Sequence, residues 1–434
     1  MYSRQRPLYV FLLLILLPAF PGTAHRIPVP PSSSSSSSRP VPIRPFPQHV
    51  SYHEGSILPD SIGRAALDDS VRSFYRQWKQ RYVLTGCHSD EKYVWFEGTS
   101  GTNQNVSEGQ GYGMLIVALM AGYDPDAKET FDDLFRYYKA HPCRTSPYLM
   151  AWQQDKHCRS TDGSSATDGD LDIAYSLLLA DAQWGSGDSI PYRQEALDMI
   201  LAIRQQEINH VLYNILLSND DNSRSKDFFD TRSSDFMPDH LRAFREASGD
   251  PCWDTVLDNT YRLFQYLQDT YSPEAGLVPD FIRKIRKGPA GGIQAVPAQP
   301  HYLESLYDGA YNFNACRVPW RIATDYLLYG DQRSAAFVQK INHWIRWTTK
   351  DNPDNISAGY NLAGEDMRQR NYEALCFIAP FAVAAMTNKD NQPWLNAVWG
   401  YLTRFPMHGF DYYDNSIKMI DMIILSGNYW APGS

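Results

Sequence analysis

Ala166-Thr-Asp-Gly-Asp-Leu-Asp-Ile-Ala-Tyr-Ser-Leu-Leu-Leu-Ala-Asp-Ala-Gln-Trp184 opens with acids at Asp168, Asp170 and Asp172 and then runs largely apolar. The periodicity predicts a helix over 168–184, and the positive end of a helix dipole favours negative charge in its first turn. One or two acids, or Thr167, suffice as caps, so three exceed what capping needs. The apolar remainder suits an inner helix, surrounded by other helices rather than by water. Metal binding is disfavoured, because the acids miss the EF-hand pattern and no histidine stands at ligand spacing. A second acidic run, Asp220-Asp-Asn222, lacks the loop glycine.

Outward from this segment, helical patterns recur at about 60–81, 107–122, 126–141, 168–184, 190–208, 233–248, 251–271, 312–328, 331–349, 370–387, 390–404 and 415–427. Short turns such as Tyr123-Asp124-Pro125 and Tyr329-Gly330-Asp331 join neighbours and favour antiparallel hairpins. Six hairpins in a ring give an all-α (α/α)6 barrel with alternate helices inside and outside and the long loops on one face. Helix count alone also permits an open solenoid. Two of the inner helices begin with carboxylates.

The 434-residue chain is 43% apolar and 21% charged, which excludes global disorder. Its net charge of −9 argues against nucleic acid or an anionic membrane as a partner. Arg4 and Arg6 precede an apolar run from Leu8 to Phe20 and the small residues Gly22-Thr23-Ala24, so residues 1–24 read as a cleaved signal peptide. Cleavage removes two arginines and no acid, leaving a more acidic, exported protein with no membrane span and no sign of subunit partners, expected to be a monomer. Residues 25–50 are rich in proline and include seven serines, Ser32 to Ser38, a composition that cannot build a core. They read as a disordered linker or tail before a catalytic domain over 51–434. Export allows disulfides among Cys87, Cys143, Cys158, Cys252, Cys316 and Cys376, with pairing left open by spacing. Asn105-Val-Ser and Asn355-Ile-Ser are glycosylation sequons.

Two further motifs carry candidate chemistry. In Val106-Ser-Glu-Gly-Gln-Gly-Tyr-Gly-Met114, Glu108 begins a helix crowded by Gly109, Gly111 and Gly113. Glycines are costly inside a helix, so close backbone approach or an open surface must compensate. A carboxyl walled by Tyr112 and other apolar groups would have its pKa raised, as a general acid requires. The other motif is Glu304-Ser-Leu-Tyr-Asp-Gly-Ala-Tyr-Asn-Phe-Asn-Ala-Cys-Arg-Val-Pro-Trp-Arg321. Pro319 fits a first helical turn, and Arg317 and Arg321, one turn apart, are placed either to brace carboxylates at a cleft or to form surface ion pairs.

These residues resemble glycoside hydrolase family 8. The segment Ala166 to Trp184 matches that family's signature, and the similarity extends through the Glu108 motif, Ser234-Asp-Phe-Met-Pro-Asp-His240, Asn314 to Arg321 and Trp394-Leu-Asn-Ala-Val-Trp399. It covers about residues 55 to 430. The resemblance implies the same (α/α)6 barrel and an inverting hydrolase of β-1,4-linked glucan, chitosan or xylan, without a metal cofactor. Carried over, Glu108 looks like the general acid and Asp168 like the carboxylate beside the distorted sugar at subsite −1. An inverting enzyme also needs a base about 6.5–9.5 Å from the acid. Many family members have an aspartate where this chain has Asn314, and asparagine cannot accept that proton. In the branch with Asn-Ala-Cys-Arg-Val-Pro-Trp-Arg the base is a glutamate from a nearby loop, which points to Glu304, with Asp308 as the alternative.

Tyr112, Trp152, Asn314, Arg317 and Trp320 are the expected substrate-binding residues, with Trp95, Tyr175, Phe236 and Tyr311 as other aromatics near the motifs. The expectation is a secreted, endo-acting inverting hydrolase of chitosan first, with mixed-linkage β-glucan (lichenan) and cellulose next. The rival is an inactive carbohydrate-binding protein, motivated by Asn314. A polysaccharide lyase would need a basic cleft, which the acidic motifs oppose.

Overall fold

In the computed structural model, the described residues are 41–433 except 97–102, 289–290, 368–373, 408 and 410. The signal-peptide reading and most of the linker reading lie outside them. Twelve α-helices are found among the described residues: α1 Arg64–Tyr82, α2 Ser107–Leu119, α3 Ala127–Ala140, α4 Thr167–Trp184, α5 Tyr192–Gln206, α6 Pro238–Ser248, α7 Cys252–Tyr271, α8 Val318–Tyr329, α9 Gln332–Thr349, α10 Leu375–Ala385, α11 Gln392–Arg404 and α12 Tyr412–Leu425. Each corresponds to one of the expected helical stretches. The starts of α6 and α8 come later than periodicity suggested, because Ser233–Asp235 and Ala315–Arg317 are separate 3-10 turns and a proline opens each helix that follows.

The even-numbered helices form the inner ring. Each contacts the next, and α12 contacts α2, so the ring closes into an (α/α)6 barrel and the open solenoid is excluded. Helices α3, α5, α7, α9 and α11 each pack outside the inner helix that precedes them, and α1 packs on α12. Sequence and position agree. Helix α10, Leu-Cys-Phe-Ile-Ala-Pro-Phe-Ala-Val-Ala-Ala, is buried along its whole length, whereas α3 alternates apolar and charged residues around its circumference.

Helices α2 and α4 approach closely, and this explains their glycines. A Cβ on Gly111 would stand 2.6 Å from the Cβ of Asp172, and one on Gly169 would stand 2.5 Å from Ser107 Oγ. No side chain fits at either position, so close backbone approach is what these glycines provide.

Short antiparallel strands occupy the long loops. Asn103–Val106 pairs with Gln153–Asp155, which pairs with Ser160–Asp162; Phe281–Lys287 pairs with both Thr231–Arg232 and Ile293–Pro297. One disulfide, Cys87–Cys158, ties two of these loops together, and Cys143, Cys252, Cys316 and Cys376 are buried free thiols.

One expectation changes, and one of the sequons proves to be structural. The linker does not extend to residue 50: Ile43 N–H donates to Gln183 O at 2.9 Å, Phe46 N–H to Ala121 O at 2.7 Å and Val50 N–H to Gly427 O at 2.7 Å. Phe46 is buried. This segment runs past the C-terminal ends of α4, α2 and α12 and is tied to each of them. The Asn105 sequon is structural, since its fully buried amide donates to Val94 O at 2.9 Å and Gln110 Oε1 at 3.0 Å. No glycan could be accommodated there.

Candidate active site

All inner helices run in one direction, so their N-termini gather on one face, where the exposed N–H groups and dipole ends favour carboxylates. Glu108 lies in the first turn of α2, Asp168 in that of α4 and Tyr412 in that of α12. Arg317 ends the 3-10 turn ahead of α8. Its guanidinium is the hub: Nη1 donates to Glu108 Oε2 at 2.6 Å and to Asp168 Oδ2 at 2.9 Å, and Nη2 donates to Ser234 Oγ and to Asn314 Oδ1, each at 2.8 Å. Asn314 then donates from Nδ2 to Glu304 Oε2 at 2.8 Å. A continuous chain therefore runs from Glu108 through Arg317 and Asn314 to Glu304.

The two barrel carboxylates are driven apart. Burial raises the Glu108 pKa, and the neighbouring Asp168 charge adds to this against the opposing pull of Arg317 and the Tyr412 hydroxyl, which donates to Oε1. Burial also disfavours the Asp168 anion, but Arg232 at 2.8 Å and Arg317 outweigh it and hold its pKa at about 2. One carboxyl is thus biased to keep a proton and its neighbour to stay ionised. The Glu108 side chain retains 16% exposure, against 3% for Asp168.

The other acids of the α4 signature have separate partners. Asp172 lies deeper, bound by Arg321 at 2.9 and 2.5 Å and by His240 at 2.9 Å. Arg321 is thus the brace of a buried carboxylate below the cleft. Asp170 accepts Met150 N–H at 2.9 Å and hydrogen bonds with Glu207, a carboxyl pair that must share a proton. Burial lifts Glu207 to about 7 and holds Asp170 well above the usual carboxylate range. A raised folded pKa contributes stability that is complete below the unfolded value, about 4.3 for Glu, and lost as pH rises through about 7. Thermal unfolding followed from pH 5 to 8 should show Tm falling, and Asp170→Asn, which supplies the bridging N–H permanently, should flatten that fall. Parallel curves for the two proteins would remove the pair from the explanation.

Glu304 is exposed on its loop, and Asp308 shapes that loop from within. The buried Asp308 carboxylate accepts the N–H groups of Leu303 at 2.7 Å, Glu304 at 3.0 Å and Ser305 at 2.8 Å. Asp280 anchors the other side, accepting Asn312 N–H at 2.9 Å and Ala315 N–H at 2.7 Å.

The aromatic expectations need correction. Tyr112 and Trp320 are fully buried and pack against each other, with Arg321 over the Trp320 ring at 3.9 Å, so neither offers a face to a ligand. Their helices are inner helices, and the side chains fill the barrel. Tyr175, Phe236 and Tyr311 are buried as well, whereas Trp95 and Trp152 are half-buried and keep accessible surface. Sequence reading missed Arg232 and Tyr412. Arg232 precedes the quoted Ser234–His240 segment by two residues. Tyr412 escapes notice because the helical pattern over 415–427 leaves the Tyr412-Tyr413 pair outside it. Among the described residues, no group of three or more His, Cys, Asp or Glu is arranged to hold a metal ion.

The profile of Glycosyl hydrolases family 8 matches residues 65–427. The chain is similar to a β-glucanase of Niallia circulans, 44% identical over 394 residues that span 90% of this chain and 92% of the relative. It is 38% identical to an endoglucanase of Bacillus sp. (strain KSM-330) over 410 residues, 92% of this chain and 85% of that one. Among solved structures, the apo β-1,3-1,4-glucanase from Paenibacillus sp.X4 superposes with a TM-score of 0.83 at 42% identity, covering 89% of this chain and 99% of that chain.

Proposed function

The chain belongs to glycoside hydrolase family 8, and from that premise we propose that it is a secreted, endo-acting, inverting hydrolase of β-1,4 linkages in β-glucan. The observation that carries this reading is the chain Glu108–Arg317–Asn314–Glu304, which joins a carboxyl with a raised pKa to a second carboxylate through two neutral or cationic links. Protonated Glu108 donates to the departing glycosidic oxygen. Asp168, kept anionic, faces the positive charge that develops on the sugar ring. Glu304 takes a proton from the water attacking the opposite face.

Asn314 suits this arrangement better than an aspartate would. Its carbonyl accepts from Arg317 while its amide donates to Glu304, so it orients the base without adding negative charge beside it. This favours an active enzyme over the inactive binding protein. In Asn314→Asp a second carboxylate would stand at the same distance from Glu304. The acid limb of kcat/KM should then move toward neutral pH, because like charge disfavours ionisation of the base. An acid limb that stays in place would deny that Asn314 touches the base.

β-Glucan ranks ahead of chitosan, reversing the order expected from the sequence, because the similar proteins carry the names β-glucanase and endoglucanase. Net acidity says nothing about the charge lining a cleft. Reducing-end release from lichenan, carboxymethylcellulose, chitosan and xylan in parallel tests the assignment. Release from lichenan or carboxymethylcellulose above chitosan is expected; chitosan alone would restore the first order, and silence on all four from a folded protein would favour the binding protein.

A further inference from the structure

The chain has eleven tryptophans. Ten are buried or half-buried, whereas Trp347 is 77% exposed. It projects near the C-terminal end of α9 and lines a surface cavity of about 650 Å³ together with His343, Arg346, Thr348, Lys350 and Asp351. His343 and Trp347, one turn apart, share one face of α9, and Lys350 caps its C-terminal end.

The surrounding wall is fixed. Lys350 and Asp351 take left-handed backbone conformations, with φ of 57° and 54°, and this turns the chain sharply beside the indole. Asp351 N–H donates to Arg346 O at 2.9 Å. Arg346 in turn donates from Nε to Asp351 Oδ1 at 2.7 Å and from Nη1 to Asn391 Oδ1 at 2.9 Å. An apolar ring this accessible is thus framed by held polar groups.

Position adds to the case. Outer helices run back against their inner partners, so α9, which follows α8 across the turn at Gly330, ends on the face where α8 begins and Arg317 stands. Packing links the two regions: Trp344, one turn before Trp347, meets the Tyr360 ring at 4.8 Å, and Tyr360 O accepts the N–H of Tyr311 at 2.9 Å, three residues before Asn314.

We propose that Trp347 is the platform of a second polysaccharide-binding site, on the rim of the cleft face, that holds a neutral β-glucan chain while another part of that chain is cleaved. An indole face stacks on the C–H face of a pyranose, and the framing side chains offer hydrogen bonds to its hydroxyls. A single ring among charged neighbours lacks the contiguous apolar area of a protein interface core. Arg346 and Lys350 outnumber Asp351 beside the ring and so disfavour a polycation such as chitosan. The inference rests on the β-glucan reading above.

The test uses the full chain. Glu108→Gln, with and without Trp347→Ala, is run in native gels containing lichenan or chitosan, and the active protein with and without Trp347→Ala is assayed on lichenan and cellohexaose. Truncating an exposed ring leaves the fold intact. Lichenan retardation should fall about threefold to tenfold and the lichenan KM rise comparably, with cellohexaose kcat/KM unchanged. Unchanged lichenan retardation, loss on chitosan instead, or an equal loss on cellohexaose would each overturn the proposal. Failure of the parent enzyme to cleave either cellohexaose or lichenan is read separately, and it would overturn the β-glucan reading itself.

Discussion

Glu108→Gln should remove turnover on β-glucan by about 10³-fold or more while leaving the protein folded, because the amide matches the carboxyl in shape but has no transferable proton. Its carbonyl can still accept from Arg317, and its NH2 group can donate to the Tyr412 oxygen, so both contacts of the native side chain are replaced. The loss should fall on kcat. Burial raises the Glu108 pKa, and the acid acts only while protonated, so activity of the native enzyme should decline as pH rises through that raised value. Circular dichroism and a pH series on lichenan check both parts. Near-normal turnover by the variant would sink the acid assignment.

The second large effect separates Glu304 from Asp308. Glu304→Gln should also cost about 10³-fold in kcat, with Tm unchanged, since the side chain is exposed and its single bond to Asn314 can be remade by an amide oxygen. Asp308→Asn should behave differently. Its carboxylate is wholly buried and occupied by the N–H groups of Leu303, Glu304 and Ser305, so it has no role to spare for water. Replacing one acceptor oxygen by a donor sets an N–H group against backbone N–H groups and should destabilise the protein by about 1–3 kcal/mol. The loop would loosen, and kcat would fall by about tenfold as Glu304 lost its position. Thermal melts and kcat measured side by side distinguish the two. A larger kcat loss in Asp308→Asn at unchanged Tm would exchange the roles.

Much of the fold was legible in the sequence because inner and outer helices differ in composition. An all-apolar run such as Leu375–Ala385 cannot face water, and Gly111 and Gly169 announce a close approach even though neither names its partner. Ring closure was legible through the family resemblance and not in the helix count alone, since it depends on α12 meeting α2 across nearly the whole domain. The N-terminal boundary was misplaced because composition averages Phe46 and Val50 with the serine tract, while their bonds to Ala121 and Gly427 decide their state.

The same distinction applies at the site. Glu108, Asp168, Arg317 and Asn314 stand in helix-start motifs with unusual composition, and the barrel brings them together. Arg232 and Tyr412 come from a short strand and a misjudged helix start, and only three-dimensional proximity marks them. Tyr112 and Trp320 failed as platforms for a related reason: aromatic residues near a motif look alike in sequence whether they face the cleft or the core. The three acids of α4 divide by depth, with one at the cleft, one paired with Glu207 and one bound to Arg321.

The central claim is that Glu108 and Glu304 act on opposite faces of the sugar with water between them. Proton NMR of the first minutes of cellohexaose cleavage, before mutarotation mixes the anomers, reads this directly. The new reducing ends should appear as the α-anomer and drift toward the β-anomer. Reducing ends that appear first as the β-anomer would contradict it, because they would require a covalent intermediate and a nucleophile where the account places water.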